Sequence, residues 1–479
     1  MTFSKASLLA SVAALLPLAA CAPDLGRAPS PRAASSLAAS RSLPDGGGQW
    51  PGDGWWKRYG DTQLDQLIAE GLAGSPDVVA AAARLTRAEG VARSAGAVLK
   101  PQLNLSASST RIGQIYSRGL SDDFSLSGLP GFETASLRGS FDLDLWGRNR
   151  ARLRASLRDT DVARVEAAQA RITLAAAIAQ AYADLARLYA ARDVTERAVK
   201  LQSDTAELVA NRVRGGLDTL GQRRQAEAQV PAARADLSSL DEQIAITRNQ
   251  LSALVGAGPD RGLTITRPTL SRLVAQSLPP SAGIDLVGRR PDVVAARARL
   301  EAEAERIKVA RRAYYPDISI SALLGFQQLD IPRLATGSLI YGQFGPALSL
   351  PLFDGGRREG DLRVARADYD AAVADYDRVL TQAIREVADA VASRTALGVQ
   401  AREVQGSLAA SEEAYRIARL RYTGGLSTYL DVLTAEQAVI VARRRDADLS
   451  ARAFLLDVTL VRALGGGFAD TSAQDVKNG

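Results

Sequence analysis

The sequence predicts a mainly α-helical chain that also contributes strands to a membrane β-barrel. Its unit is a duplicated run of helix, strand, strand, very long helix and second helix. Three observations predict this: an internal repeat, two long stretches almost free of helix breakers, and four segments of alternating polarity.

The repeat comes first because it sets the frame for everything else. Pro76-Asp77-Val78-Val79-Ala80-Ala81 returns as Pro291-Asp292-Val293-Val294-Ala295-Ala296, and at the same offset Arg84-Leu85 matches Arg299-Leu300 and Pro101 matches Pro316. Further on, RVRGGLDTLGQ (212–222) matches RYTGGLSTYLD (421–431), so that Gly215-Gly216-Leu217 corresponds to Gly424-Gly425-Leu426. A collinear series of matches argues for duplication rather than chance. The expected organisation is a first repeat over 55–256, a connector over 257–283, a second repeat over 284–466 and a tail over 467–479.

Within each repeat the long helix is read from what is missing. Arg148 to Arg214 contains neither Gly nor Pro. A helix of that extent would be about 100 Å long at 1.5 Å per residue. Asp361 to Thr423 has no Pro and only Gly398 and Gly406. The helical hairpins are expected over 148–256 and 357–464. Their apolar positions are mostly alanine, as in LAAAIAQAYADLA (174–186). Small side chains allow close helix approach but bury little area each, so many contacts must sum, as in a coiled-coil rod or a barrel of packed helices.

Strands are expected at about 102–117, 134–146, 316–328 and 341–353. In SLRGSFDLDLW (136–146) Leu137, Phe141, Leu143 and Leu145 alternate with Arg138, Ser140, Asp142 and Asp144. In PDISISALLGF (316–326) Ile318, Ile320, Leu324 and Phe326 fall on one face, opposite Asp317, Ser319 and Ser321. QLNLSAS (102–108) and QFGPALSLPLF (343–353) alternate likewise. One such segment fits a soluble sheet over a core. Four fit a transmembrane barrel, with one face to lipid and one to the lumen. A bilayer tolerates no open sheet edge, and the smallest such barrels need about eight strands. The chains must therefore pool strands: two copies give a filled lumen, three leave room for a pore.

The N-terminus reads as an address. Lys5 precedes an apolar run from Ala6 to Ala20, too short for a permanent membrane helix and typical of a secretory signal. Cys21, the only cysteine, follows Leu18-Ala19-Ala20 in the manner of a lipoprotein cleavage site. Residues 1–20 are expected to be removed, and Cys21 to carry acyl chains at the head of a Pro-, Ala-, Ser- and Gly-rich flexible tether over 21–54.

Composition narrows the chemistry. Histidine is absent, which removes the usual general base and the commonest zinc ligand. One cysteine excludes internal disulfides and cysteine clusters. The net charge is +6, but 59 Lys and Arg are interleaved with 53 Asp and Glu, which describes solvated helix faces rather than a nucleic-acid patch. No catalytic constellation and no cofactor are expected.

These residues resemble the TolC-like outer membrane factors, in particular the lipidated NodT-type branch. The resemblance rests on Trp55-Trp56-Lys57-Arg58-Tyr59-Gly60-Asp61 with Leu64 and Leu67-Ile68, on Arg289-Arg290-Pro291-Asp292-Val293, on Leu350-Pro351-Leu352-Phe353-Asp354-Gly355-Gly356, on Arg421-Tyr422-Thr423-Gly424-Gly425 with Leu430-Asp431-Val432-Leu433-Thr434-Ala435, and on Ala463-Leu464-Gly465-Gly466. It implies a homotrimer, with a twelve-stranded barrel in the outer membrane of a Gram-negative bacterium above a twelve-helix periplasmic barrel. It further implies a passive exit duct that docks a periplasmic adaptor protein and, through it, an inner-membrane pump of the RND type. The 257–283 connector would be equatorial. Type I protein secretion is the alternative within the family, and a periplasmic coiled-coil adaptor lipoprotein the alternative outside it.

The resemblance places Gly215, Gly216, Leu217, Gly424, Gly425 and Leu426 at the periplasmic tip, where the adaptor engages. Tyr422, Asp431 and Asp218 fall at the constriction, and Thr434 stands where some members carry a second aspartate. A plainer reading also holds for the residue types. Gly ends helices in the left-handed region, and Thr219 with Gln222, like Thr428 with Asp431, fits a capping box. Pro231 stands inside the helix after the first turn, where it favours a kink.

Overall fold

The computed structural model describes residues 22–39, 41–43, 46–111, 131–269, 278–280, 282–329 and 339–469. Cys21, the signal segment before it and the tail from 470 lie outside the described residues. In chain order the elements are α1 (Thr62–Gly74), α2 (Pro76–Ala97), β1 (Gln102–Arg111), β2 (Gly131–Asp142), α3 (Arg148–Arg214), α4 (Leu220–Leu254), α5 (Ala282–Arg289), α6 (Pro291–Arg312), β3 (Asp317–Leu329), β4 (Leu339–Ser349), α7 (Arg357–Thr423) and α8 (Tyr429–Ala463). The duplication is exact in length where it matters most, because α3 and α7 each have 67 residues and α4 and α8 each have 35. Helix α4 continues through Pro231 as one helix. Among the described residues no helix is long and apolar enough to cross a membrane.

Leu85–Val162 and Ala296–Asp375 belong to one compact unit. Its sheet runs β1-β2-β3-β4, antiparallel throughout. The register sorts the side chains cleanly. Leu105, Leu137, Leu324 and Gly342 fall in one row, and Leu103, Gly139, Ala322 and Phe344 in the next row on that face. On the opposite face the rows are Gln102, Ser140, Ser321 and Gly345, then Asn104, Arg138, Leu323 and Gln343. The apolar face is uncovered: Leu105 is 77% exposed and Phe344 80%. On the polar face Ser106 and Ser136 hydroxyls lie 2.9 Å apart, and those of Ser108 and Thr134 2.8 Å apart.

Two strands end earlier than their alternation suggests. β2 stops at Asp142 rather than 146, because the chain turns through Asp144, whose φ is 43°. The Asp144 carboxylate accepts the backbone N–H of Asn149 at 2.8 Å and of Arg150 at 2.9 Å, so it caps the start of α3. β4 stops at Ser349 rather than 353, where Asp354 performs the same task for α7 by accepting the N–H of Arg358 at 3.2 Å. The alternation ran on, but the orphan donors of each helix start took the chain away from the sheet.

Arg32–Arg84, Ala163–Ala295 and the residues from Tyr376 onward form the other unit. Its core joins Leu64, Leu67 and Ile68 of α1 to Ile178, Tyr182 and Leu185 of α3, to Leu251 of α4 and to Phe454 and Val458 of α8. The Trp55–Asp61 stretch serves this core. Tyr59 packs on Phe454 with ring centroids 4.4 Å apart and donates its hydroxyl to Asp457 at 2.7 Å. Asp61 caps α1, accepting from Gln63 N at 3.0 Å and Leu64 N at 3.2 Å. Its other oxygen accepts the Tyr182 hydroxyl at 2.8 Å and the backbone N–H of Thr269 at 2.9 Å.

The expected flexible tether is a correction. Arg366 donates to the carbonyls of Gly26 at 3.2 Å and Arg27 at 2.5 Å, and the Tyr369 hydroxyl to that of Pro29 at 3.4 Å. Further on, Arg32 N–H donates to Asp377 at 2.9 Å. Leu43 is buried among Leu286, Val387, Ala390 and Leu460. The Pro- and Ala-rich composition reads as a linker, yet such a chain keeps its carbonyls free, and α7 supplies donors for them.

Candidate functional site: the paired hairpin turns

Both Gly-Gly-Leu turns are helix stops of the same design. In the first, Leu217 N–H donates to Arg212 O at 2.9 Å and Gly216 N–H to Val213 O at 3.0 Å; in the second, Leu426 N–H donates to Arg421 O at 2.8 Å and Gly425 N–H to Tyr422 O at 3.1 Å. Gly216 has φ 71° and Gly425 φ 74°. That left-handed conformation, with the bond back across it, is the Schellman stop that favours glycine. Gly215 and Gly424 precede them, and Leu217 and Leu426 project exposed beyond them. Each turn then starts a helix with a capping box, Thr219 with Gln222 and Thr428 with Asp431.

Asp431 is therefore first a cap. Its Oδ2 accepts the backbone N–H and the hydroxyl of Thr428, each at 2.9 Å. These bonds hold its carboxyl below the usual aspartate range. The side chain is exposed, and Tyr422 and Asp218 lie elsewhere, in contact with each other.

The two turns are tied through Arg212. Asp218 accepts a bond from Arg212 Nε at 2.9 Å and another from the Tyr422 hydroxyl. Arg212 Nη1 donates to the Tyr422 carbonyl at 2.9 Å, and its guanidinium lies 4.4 Å from the centre of the Tyr422 ring. Tyr422 is fully buried. The side chains of Arg212 and Asp218 are 14% and 7% exposed, so charge is compensated in a place with little water, where each bond is strong and each unpaired partner costly. Burial, then the adjoining Asp218, raises the Tyr422 pKa, so the phenol stays a donor.

Behind this latch Val209, Ala226, Tyr429 and Val432 pack with Tyr422. Glu436 is buried beyond them, accepting the Thr205 hydroxyl at 2.7 Å. Burial pushes Glu436 above the usual glutamate range, with the Thr205 bond and Arg419 opposing. Tyr429 is pushed up to about 12 by burial and by Glu436.

The linkage has a definite sign. A carboxyl whose folded pKa is raised holds its proton more tightly when folded. It therefore stabilises most below the ordinary glutamate range and loses that contribution as pH rises toward the raised value. The groups facing Glu436 and its neighbour Tyr415 are Thr205, Asp204, Arg419 and Tyr429. Glu436→Gln is expected to flatten the pH dependence of amide-exchange protection around Tyr415–Glu436. Wild-type protection should fall as pH rises from the ordinary glutamate range through the raised Glu436 pKa, by roughly tenfold for each 1.4 kcal/mol lost. An equal fall in the variant would assign the dependence to another group.

Sequence reasoning found Tyr422 and Asp218 but missed Arg212, Thr205 and Glu436. A signal was present in the repeat itself. At equivalent positions the first copy has Val213, Asp218 and Leu220 where the second has Tyr422, Ser427 and Tyr429. Asp218 and Tyr422 of the latch sit where the copies diverge, whereas Arg212 matches Arg421.

A two-faced strand set repeated within one chain, joined to long hairpins that meet at a buried polar latch, defines the protomer of a membrane duct. The chain belongs to the outer membrane efflux protein family, whose model matches residues 67–257 and 285–466. It is 35% identical over 325 residues to the fusaric acid resistance protein FusA of Burkholderia cepacia, an alignment covering 66% of this chain and 60% of that protein. It is 28% identical over 428 residues to the multidrug resistance outer membrane protein MdtP of Escherichia coli, covering 88% of this chain and 87% of that one. Among solved structures, the outer membrane protein VceC of Vibrio cholerae matches with 41% identity and a TM-score of 0.81, over 88% of this chain and 100% of that one. The family is one of outer-membrane channels, and the chain is an outer-membrane efflux protein.

Proposed function

We propose that three copies of the chain close their strands into one twelve-stranded barrel and act as the passive exit duct of a tripartite efflux system. The observation that carries this reading is the open sheet with one uncovered apolar face and one polar face. Its unpaired edges, β1 and β4, require a partner within a bilayer, and a neighbouring copy supplies one. Twelve strands leave a water-filled lumen lined by the Gln102 and Asn104 rows.

The latch is read as the gate of the duct, holding the two hairpin turns of each protomer together when the duct is shut. Leu217, Leu220, Leu426 and Leu430 are exposed around it and suit an apolar groove on a periplasmic adaptor, which in turn would link the duct to an inner-membrane pump, here taken as RND-type. Names of relatives that refer to fusaric acid and multidrug resistance support small-molecule cargo. Cys21 is read as the acylated anchor; Cys21→Ser is expected to abolish incorporation of labelled palmitate, and persisting label would contradict that.

Purified protein added to a planar lipid bilayer should give discrete ion currents that rise when the latch is broken. Insertion without any current, in wild type and latch variants alike, would sink the duct reading.

A further inference from the structure

On the polar face of the sheet one row sets an aromatic side chain opposite a glycine. Ser106, Ser136, Gly325 and Tyr341 stand in register across β1, β2, β3 and β4. Its neighbours are Asn104, Arg138, Leu323 and Gln343 on one side, and Ser108, Thr134 and Gln327 on the other. Three of the four members of the row are small, two serines and a glycine, and the fourth is a tyrosine.

The tyrosine occupies the space the others leave. Gly325 is buried although it lies on an otherwise open face, and the atoms over it are those of Tyr341. A Cβ placed at Gly325 would meet Tyr341 Cζ at 2.3 Å, Oη at 2.6 Å and Cε1 at 2.7 Å. The phenol end of the ring therefore lies over Gly325 of β3, the arrangement by which an aromatic covers a strand glycine from a directly opposed position. Tyr341 keeps 40% of its surface exposed, so the upper face of the ring remains available. Any side chain at 325 forces the ring away from the strand.

We propose that Tyr341, folded over Gly325, sets the aperture of the duct at the level of the membrane sheet and is the aromatic surface that passing apolar cargo meets there. This rests on the reading of the polar face as lumen. With the ring over Gly325 the wall is smooth; with the ring lifted, each protomer presents a phenol to the passage. Gly325 is thus the residue that keeps the passage wide, and Tyr341 the one that narrows it when displaced.

Two sets of variants in the full-length protein test this, both in an Asp218→Ala chain so that the latch does not limit current. The first uses the chemistry of a chain whose one native cysteine is Cys21. Tyr341→Cys should react with a membrane-impermeant, negatively charged methanethiosulfonate and lose current on reaction. Ile340→Cys, on the apolar face, should stay inert, and the parent chain supplies the background. The second set is Gly325→Val, expected to lower single-channel conductance by roughly 1.5-fold, since conduction follows pore diameter and lining. Adding Tyr341→Ala to Gly325→Val should restore it.

If Ile340→Cys reacts and Tyr341→Cys does not, the faces are reversed, and the lumen reading falls together with this one. If labelling is as expected but Gly325→Val leaves conductance unchanged, or the double variant stays low, only the role of Tyr341 is overturned. Should Gly325→Val fail to assemble, block of Tyr341→Cys current by the bulky reagent decides the matter, and an unblocked current on a labelled protein counts against the proposal.

Discussion

Asp218→Ala is expected to raise the open-channel current more than any other single change at the hairpin turns. Asp218 is the acceptor for both Arg212 Nε and the Tyr422 hydroxyl, so its removal leaves a nearly buried guanidinium without a counter-charge. Breaking such a pair from one side costs about 3–5 kcal/mol, and the cost falls on the conformation in which the turns are held together. Since every 1.4 kcal/mol shifts a two-state equilibrium about tenfold, a tip that is shut nearly all the time would be open for a large share of it. Tyr422→Phe removes one hydrogen bond to a charged group, worth about 1.5–3 kcal/mol, and keeps the ring under Arg212; it should raise current less. Asp431→Asn is the control. It leaves an acceptor for Thr428 and lies outside the latch, so basal current should stay near wild type, and only divalent-cation block should change if its charge faces the passage. Equal currents in Asp218→Ala and wild type would remove the latch from the gate.

The second large effect is on assembly rather than conduction. Arg290, from the Arg289–Val293 motif, is 6% exposed. It donates to Asp292 through Nε at 3.0 Å and Nη2 at 2.5 Å, to Glu386 at 3.0 Å and to the Ala463 carbonyl at 3.0 Å. One side chain thus joins the start of α6 to the middle of α7 and satisfies a carbonyl at the end of α8. Gly465 completes the joint: its φ is 97°, and a Cβ there would lie 1.9 Å from Arg289 O. Arg290→Met should cost about 1.5–3 kcal/mol, the worth of a hydrogen bond to a charged group, because the two partly exposed carboxylates and the Ala463 carbonyl lose a shared donor. The midpoint of thermal unfolding followed by circular dichroism should fall by a few degrees, at about 1 °C per kcal/mol for a chain of this length, with loss of heat-resistant oligomer on gels. Arg290→Lys should not rescue it, since an ammonium cannot reproduce the fork. Full rescue by lysine would mean that charge alone matters there.

How much of this was legible in the sequence follows from what each signal measures. Gly and Pro report backbone geometry directly, so the long helices and their glycine stops could be read residue by residue. Alternation reports side-chain faces, and the two faces of the sheet follow it row by row. It does not report where pairing stops, which is why Asp144 and Asp354, acting as caps, end β2 and β4 early. Composition misled at residues 22–43, where order comes from Arg366, Tyr369 and Asp377, donors and acceptors far away in the chain. The latch was half legible for the same reason. Arg212 and Tyr422 are 210 residues apart in sequence; divergence of the two copies marks Tyr422, but Arg212 matches Arg421 and carries no such mark. Glu436 looked like any charge on a solvated helix face until its burial beside Thr205 was known.

The central claim is that one chain's open sheet is closed by two further copies. Native mass spectrometry of the detergent-extracted, full-length protein measures this directly. A single dominant species of three chains, persisting until the detergent or temperature unfolds it, is the expected result. A stable monomer or dimer as the dominant species would contradict it, because four or eight strands cannot enclose a water-filled passage.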